Sequence, residues 1–230
     1  MQKITAIVLA GGSGKRMNGT QKKQYLQLDG KPILFYSLKA FQESCVDEII
    51  LVTNEPEYCK KEIVEPYRLD KVRKMTRGGK ERYHSVYQGL LAAEGSEYVL
   101  IHDSARPFVT QEMICASIDA VKIYGACIVG VPAKDTVKVA DCEQFASRTL
   151  DREFTWQVQT PQTFSYPLIM EAYEKVLKEQ PVGITDDAMI IEYGQYARVK
   201  LIMGSYANIK ITTPEDLLIA EALYKNFKAK

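Results

Sequence analysis

A chain of 230 residues with 46% hydrophobic and 26% charged residues has the length and composition of a globular α/β domain with a substantial core. Its 30 Lys and Arg oppose 29 Asp and Glu, for a net charge of +1. That balance gives no global basic field for nucleic acid, so any cationic patch must be local.

Taken in chain order, apolar β-rich runs alternate with helical patterns. Residues 4–10 form a buried-strand run, too short for a signal-peptide core or a membrane span. Residues 32–43 read as a helix with Pro32 at its start, 48–53 as a strand and 57–67 as a helix. After the turn Gly78-Gly79 come a helix over 82–93, a strand over 98–103, a helix over 111–124 and a strand over 127–133. The rhythm breaks at 134–165, which reads as an excursion from the sheet. Within it, 136–139 and 148–150 are short strands about an Asp-Cys-Glu-Gln turn, forming a β-arm. The pattern then resumes, with Thr185 capping a helix over 186–193, a strand over 198–203 and a short strand carrying Lys210. Thr213-Pro214-Glu215-Asp216 marks a last helix start. This alternation predicts a Rossmann-like α/β fold, a mostly parallel open sheet with helices on both faces plus a protruding β-arm. No linker divides the chain, so 1–230 reads as one domain.

The first strand runs into Gly11-Gly12-Ser13-Gly14, followed by Lys15, Arg16, Lys22 and Lys23. A strand, a glycine turn and a helix together suit phosphate, because glycines admit close approach and free N–H groups point at the anion. It is not a P-loop: aligning Gly14-Lys15 places Leu9 at the first glycine and Arg16 at the Ser/Thr. The dinucleotide fingerprint fails at Met17, where a third glycine is needed. Backbone donors beside several cations suit more than one phosphate charge.

Asp103, within His102-Asp103-Ser104-Ala105-Arg106, ends a strand predicted to be central, where open sheets bind ligands. It is placed to hold Mg²⁺ beside a polyphosphate, or to cap a helix or pair with Arg106. His102 and His84 read as structural. Arg152 near Trp156 reads as a stacking pair. The five cysteines are odd in number and contain no C-x-x-C pair, which fits a reducing, cytoplasmic compartment; Cys115 and Cys127 read as core. No nucleophile and base pair is evident. A phosphomonoester substrate needs none, because it is already dianionic near neutrality and transfer depends on charge neutralisation and positioning.

Leu9 through Met17 resembles the signature turn of sugar nucleotidyltransferases. Lys23-Gln24-Tyr25-Leu26, Gly78-Gly79, Glu81-Arg82, Ser85-Val86, His102-Asp103, Ala105-Arg106-Pro107, Asp135-Thr136, Gln159-Thr160-Pro161-Gln162, Ile184-Thr185-Asp186 and Asn208-Ile209-Lys210 are similar, in order, to the 2-C-methyl-D-erythritol 4-phosphate cytidylyltransferase family. The resemblance implies transfer of a cytidylyl group from CTP to methylerythritol phosphate, releasing pyrophosphate, in non-mevalonate isoprenoid precursor synthesis. It implies that Ala10, Gly11, Gly12, Ser13 and Gly14 surround the nucleotide, with Gly79 and Ser85 near cytosine. Arg16 and Lys23 would stabilise transition-state charge, with Lys15 and Lys22 mainly solvated. Asp103, Ser104, Arg106 and Thr160 would line the site, Asp103 with Mg²⁺. Arg152 and Lys210 would position the acceptor phosphate, helped by Thr136 and Thr185. Segment 134–157 would be a dimerisation arm, so that Thr136 and Arg152 serve the neighbouring subunit.

Lys22, Thr155 and Ala207 depart from the usual residues of that family. A ribitol 5-phosphate cytidylyltransferase would carry Val at Ala105 and Met-Tyr at Thr155-Trp156. A nicotinamide-dependent oxidoreductase is opposed by Met17, and a non-catalytic nucleotide-binding regulator by the set Arg16, Lys23, Asp103, Arg152 and Lys210.

Overall fold

The computed structural model describes residues 2–12, 22–179 and 183–228. Strand β1 (Ile4–Leu9) is followed by a 3-10 turn at Lys23–Tyr25 and a small hairpin, β2 (Gln27–Leu28) and β3 (Lys31–Pro32). Next come α1 (Ile33–Gln42), β4 (Glu48–Val52), α2 (Pro56–Cys59) with a π-helical turn over Lys60–Val64, and β5 (Val72–Thr76). Then follow α3 (Arg82–Ala92), β6 (Tyr98–Asp103), α4 (Gln111–Tyr124) and β7 (Ala126–Pro132). The arm is the hairpin β8 (Lys138–Ala140) and β9 (Ala146–Thr149). The chain returns through β10 (Trp156–Ser165), α5 (Tyr166–Glu179), α6 (Asp187–Tyr193) and β11 (Lys200–Met203), and ends in α7 (Pro214–Lys228).

Seven strands form one sheet in the order β11-β7-β10-β6-β1-β4-β5. Neighbours pair in parallel except β10, which is antiparallel to both β6 and β7. Strand side chains alternate between two cores. In β1, Ala6 and Val8 pack with α1 and α4, through Leu34, Leu38, Phe41, Ile114 and Ile118. Ile7 faces the other way, onto Val86 and Leu90 of α3 and Ile169, Tyr173 and Val176 of α5. The predicted sheet with helices on both faces is therefore present. The sheet reverses its winding between β1 and β6, and a crevice opens outside the carboxyl ends of those strands.

Only part of the expected 134–165 excursion leaves the sheet. The arm departs after Ala133, whose N–H donates to the Thr155 carbonyl, and residues 156–165 form β10 near the middle of the sheet. β10 reads as irregular because most of its buried positions are polar: Gln159, Thr160, Gln162 and Thr163 are all buried. Between Val158 and Gln162 its register shifts, around a cis Thr160-Pro161 bond. The hairpin itself is exposed throughout, and its turn is held by Asp141, whose Oδ1 accepts from the N–H groups of Glu143 and Phe145.

Smaller expectations also change. Asp186, not Thr185, caps α6: its carboxylate accepts from the Met189 N–H at 3.0 Å. An acid is a better N-cap here because it also meets the positive end of the helix dipole. Lys210 lies in irregular chain between β11 and α7 rather than in a strand. Cys115 is exposed on α4, whereas Cys127 is buried as expected. Thr213 and Asp216 bond reciprocally to each other's backbone N–H at the start of α7, as the Thr-Pro-Glu-Asp run predicts.

Candidate active site

A cleft of about 440 Å³ opens at the carboxyl ends of β1, β4 and β6, lined among others by Gly11, Gly12, Lys23, Gly79, Asp103 and Lys210. Each glycine turn is shaped by a side chain from elsewhere. Asn54, just past β4, donates from Nδ2 to the Gly11 carbonyl at 3.2 Å and accepts from the Gly78 N–H at 3.1 Å. It therefore fastens the two turns side by side. At Gly79 a side chain is sterically barred, since a Cβ there would stand 2.4 Å from His84 Cβ. The Gly79 N–H donates to Ser85 Oγ at 3.0 Å, which draws the turn onto the first turn of α3. Glu81 and His84 complete a reciprocal cap at that helix start, the structural use anticipated for His84.

At the back of the cleft stands Asp103, 8% exposed. Its Oδ2 lies 2.7 Å from Lys210 Nζ and its Oδ1 3.3 Å from Arg82 Nε. Its cationic partners are therefore Arg82 and Lys210, while Arg106 adds a smaller charge effect and donates its backbone N–H to the Asp103 carbonyl. Burial alone would raise the Asp103 pKa; Arg82 and Lys210 reverse this and hold the carboxyl well below the usual range. Arg82 points its fork at Asp187, donating at 2.9 and 2.8 Å to a carboxylate with no exposure. Tyr173 adds an O–H donated to Asp187 at 2.6 Å. Burial works against the charge of Arg82, and Asp187 and Asp103 together override it, so its pKa is raised.

His102 is buried and neutral. Burial lowers its pKa to about 4. Thr160 Oγ1 accepts the Asp103 N–H at 3.1 Å and lies 3.0 Å from His102 Nδ1, to which it donates because the Arg106 carbonyl can only accept and so takes the ring's one hydrogen. The other ring nitrogen, Nε2, then carries the hydrogen and donates to the Arg106 carbonyl. His102 is thus structural, as its sequence position implied, and ties β6, β10 and the Arg106 loop together.

A second depression continues from the first, sharing Arg82, Asp103 and Lys210 and adding Arg106, Gln159, Thr160 and Thr185. Arg106 is pinned by donation to the Asn208 carbonyl at 2.8 Å, and its Nε has no partner among the described residues. Burial lowers its pKa.

Of the residues singled out from sequence, Gly11, Gly12, Lys23, Gly79, Ser85, Asp103, Ser104 and Lys210 line the first cleft. Arg106, Thr160 and Thr185 line its extension. Ala10 is buried just past β1 and is not among the cleft's lining residues; its carbonyl accepts from Gln24. Ser13, Gly14, Lys15 and Arg16 lie outside the described residues. Thr136 and Arg152 are exposed on the arm and line neither depression of their own chain. Arg152 donates to the Lys134 carbonyl at 3.2 Å rather than being defined by Trp156. Lys22 is not merely solvated: its ammonium pairs with Glu55 at 3.0 Å. Arg82, Asp187, Asn54 and Gln24 were not assigned roles from sequence. For Arg82 the available signal was its place in the Glu81-Arg82 pair beside the second glycine turn.

For Mg²⁺, the donor chemistry is the relevant test. Among the described residues no cluster of three or more acidic, His or Cys side chains could hold a metal ion. A single carboxylate, Asp103, fits only an ion that keeps its waters and is held largely by substrate phosphates.

The family model for IspD, 2-C-methyl-D-erythritol 4-phosphate cytidylyltransferase, matches residues 4–226. The chain is 48% identical over 227 residues to a 2-C-methyl-D-erythritol 4-phosphate cytidylyltransferase of Lachnoclostridium phytofermentans, covering 98% of this chain and 97% of that one. Its identity to the enzyme of the same name from Clostridium botulinum is 51% over 223 residues, with 96% and 98% covered. Among solved structures, 4-diphosphocytidyl-2C-methyl-D-erythritol synthase from Anaerococcus prevotii superposes with a TM-score of 0.85 at 34% identity, covering 97% of this chain and 99% of that one.

Proposed function

Because this chain belongs to the 2-C-methyl-D-erythritol 4-phosphate cytidylyltransferase family and transfers a cytidylyl group from CTP to methylerythritol phosphate, we propose that Lys23, Lys210, Arg16 and Arg152 carry the reaction around Asp103. The acceptor's phosphate oxygen forms a bond to the α-phosphorus of CTP while the bond from that phosphorus to the bridging oxygen breaks, releasing pyrophosphate. The attacking phosphate is already dianionic, so no general base is required. The barrier is mutual repulsion of two anions, and catalysis is positioning and charge neutralisation.

Lys23 and Arg16 stabilise negative charge on the triphosphate as the transition state forms. Gly79 and Ser85 receive the base, and the Ala10–Gly14 backbone the phosphates. Lys210 holds the acceptor phosphate, with Thr185 and Arg106 nearby. The observation that carries this assignment is that Lys23 lines the same cleft as Lys210 and Asp103, whose charged atoms lie 2.7 Å from each other. Mg²⁺ would be held by Asp103 and the triphosphate, and supplies neutralisation of phosphate charge.

The enzyme acts as a homodimer through its arm, with Thr136 and Arg152 serving the neighbouring site. Supporting this, Phe145 and Phe154 on the arm are 68% and 78% exposed, an unusual position for large apolar rings. A cytoplasmic location is supported by five unpaired cysteines. No helix among the described residues is long and apolar enough to cross a membrane.

The test is pyrophosphate release with Mg²⁺ and CTP, comparing methylerythritol phosphate with ribitol 5-phosphate. Preference for the first is expected. Preference for the second would overturn the reading of Ala105 and Trp156, and release with neither would overturn the acceptor assignment.

A further inference from the structure

Gln24 follows Lys23 directly and borders the same cleft, yet it is only 1% exposed. The amide has one strong bond: Nε2 donates to the Ala10 carbonyl at 2.8 Å. That carbonyl ends β1 and begins the glycine turn. The orientation of the amide is fixed, because the opposite flip would set two oxygens against each other. Its own oxygen accepts no hydrogen bond among the described residues. A buried amide oxygen left without a hydrogen bond is costly to the fold.

The Lys23–Tyr25 turn is tied to the fold on two sides. It spans three residues and has no side-chain cap. Its outer anchor is Tyr25, whose hydroxyl lies 3.4 Å from Thr53 and 3.3 Å from Cys59, beyond the end of β4. Its inner anchor is Gln24. Between them the Lys23 stem is laid along the glycine turn, its Cε 3.9 Å from where a Cβ on Gly12 would stand.

We infer that Gln24 is a positioning residue for transfer, fixing the Lys23 ammonium relative to the phosphate-facing backbone after β1. The inference rests on the role assigned to Lys23. A charge that stabilises a transition state must be held in place before the reaction, and a small misplacement costs orders of magnitude in rate. Gln24 touches no reacting atom; it acts through Lys23.

The experiment measures kcat and KM for Gln24→Met, Gln24→Glu, Lys23→Ala and the Gln24→Met/Lys23→Ala double variant, with CTP affinity measured separately. Gln24→Met keeps shape and removes the donor. A tenfold or greater fall in kcat is expected, with CTP affinity changed less than threefold. In the Lys23→Ala background the same substitution should cost less than twofold, since the group it positions is gone. Gln24→Glu supplies a pH readout. A buried carboxyl has a raised pKa, donates to Ala10 when protonated and repels it when ionised. Its kcat relative to the parent enzyme should therefore be near unity at pH 6 and fall tenfold by pH 8.5, while Gln24→Met stays low at both. A Gln24→Met loss that persists undiminished without Lys23, or Glu and Met variants that match at both pH values, would overturn the inference. Failure of the underlying reading is distinct: Lys23→Ala alone would then leave kcat unchanged.

Discussion

The Lys210 ammonium lies 2.7 Å from Asp103 Oδ2, so the irregular chain before α7 is fastened to the end of β6. Removing the ammonium should remove acceptor-phosphate positioning while leaving Asp103 its Arg82 partner. Turnover of Lys210→Ala is expected to fall about 100-fold or more, with Lys210→Arg recovering part of it. Steady-state kinetics with methylerythritol phosphate varied would check this, and unchanged turnover would take Lys210 out of the reaction.

Arg82 neutralises a carboxylate that has no contact with water. Arg82→Ala strands Asp187 among Tyr173 and the α6 backbone, and a buried charge without its partner costs about 3–5 kcal/mol. For a chain of this size that lowers Tm by about 10 °C. A melting curve within a degree or two of the parent would mean that Asp187 finds another partner or takes up a proton.

His102 sets an acid limb of stability. In the native state it takes a proton only near pH 4, against an ordinary value of 6.5. Between those values the unfolded chain binds more protons, so stability is complete above about pH 6.5 and declines as pH falls toward 4, by roughly 3 kcal/mol in all. The depressed pKa of Asp103 acts elsewhere: its contribution is present above the ordinary carboxylate value and is lost only at lower pH. Urea unfolding at a series of pH values should show the His102 limb, and His102→Gln should flatten it between pH 6.5 and 4. An unchanged slope would assign that limb to other groups.

Arg152 and Thr136 test the arm. Neither lines the cleft of its own chain, so an inactive Lys23→Ala chain mixed with an inactive Arg152→Ala chain should form some sites that are whole. Activity should return toward a quarter of the parent value on random exchange, roughly, as a statistical expectation for sites built from two chains. No recovery despite demonstrated exchange would argue for sites contained within one subunit.

Much of this was legible in the sequence because its signals are local. The runs at β1, β4, β6 and β7 are apolar on both faces, as strands covered on both sides must be. β5 escaped because it is an edge strand carrying Arg73 and Lys74, charges that guard an edge and hide a strand. β10 escaped for the opposite reason: it is central, but Thr160 and Gln162 are spent on side-chain bonds to His102 and to the start of α6. That the two glycine turns meet at one edge of the sheet could be read from the order of the elements. The Arg82–Asp187 pair could not, because only folding brings α3 and α6 together, and no local pattern records that meeting.

The antiparallel strand of the seven-stranded sheet also decides where this protein can change. Since β10 returns against β7, the two need only a hairpin between them, whereas a parallel neighbour would need a crossover over the sheet. That hairpin leaves from the edge where the cleft opens. Its length can therefore vary without rewiring a single ladder, and each added pair of residues extends reach toward a neighbouring molecule while the chemistry stays put. The sheet and the arm can drift in sequence as separate modules, joined at one seam between Ala133 and Thr155.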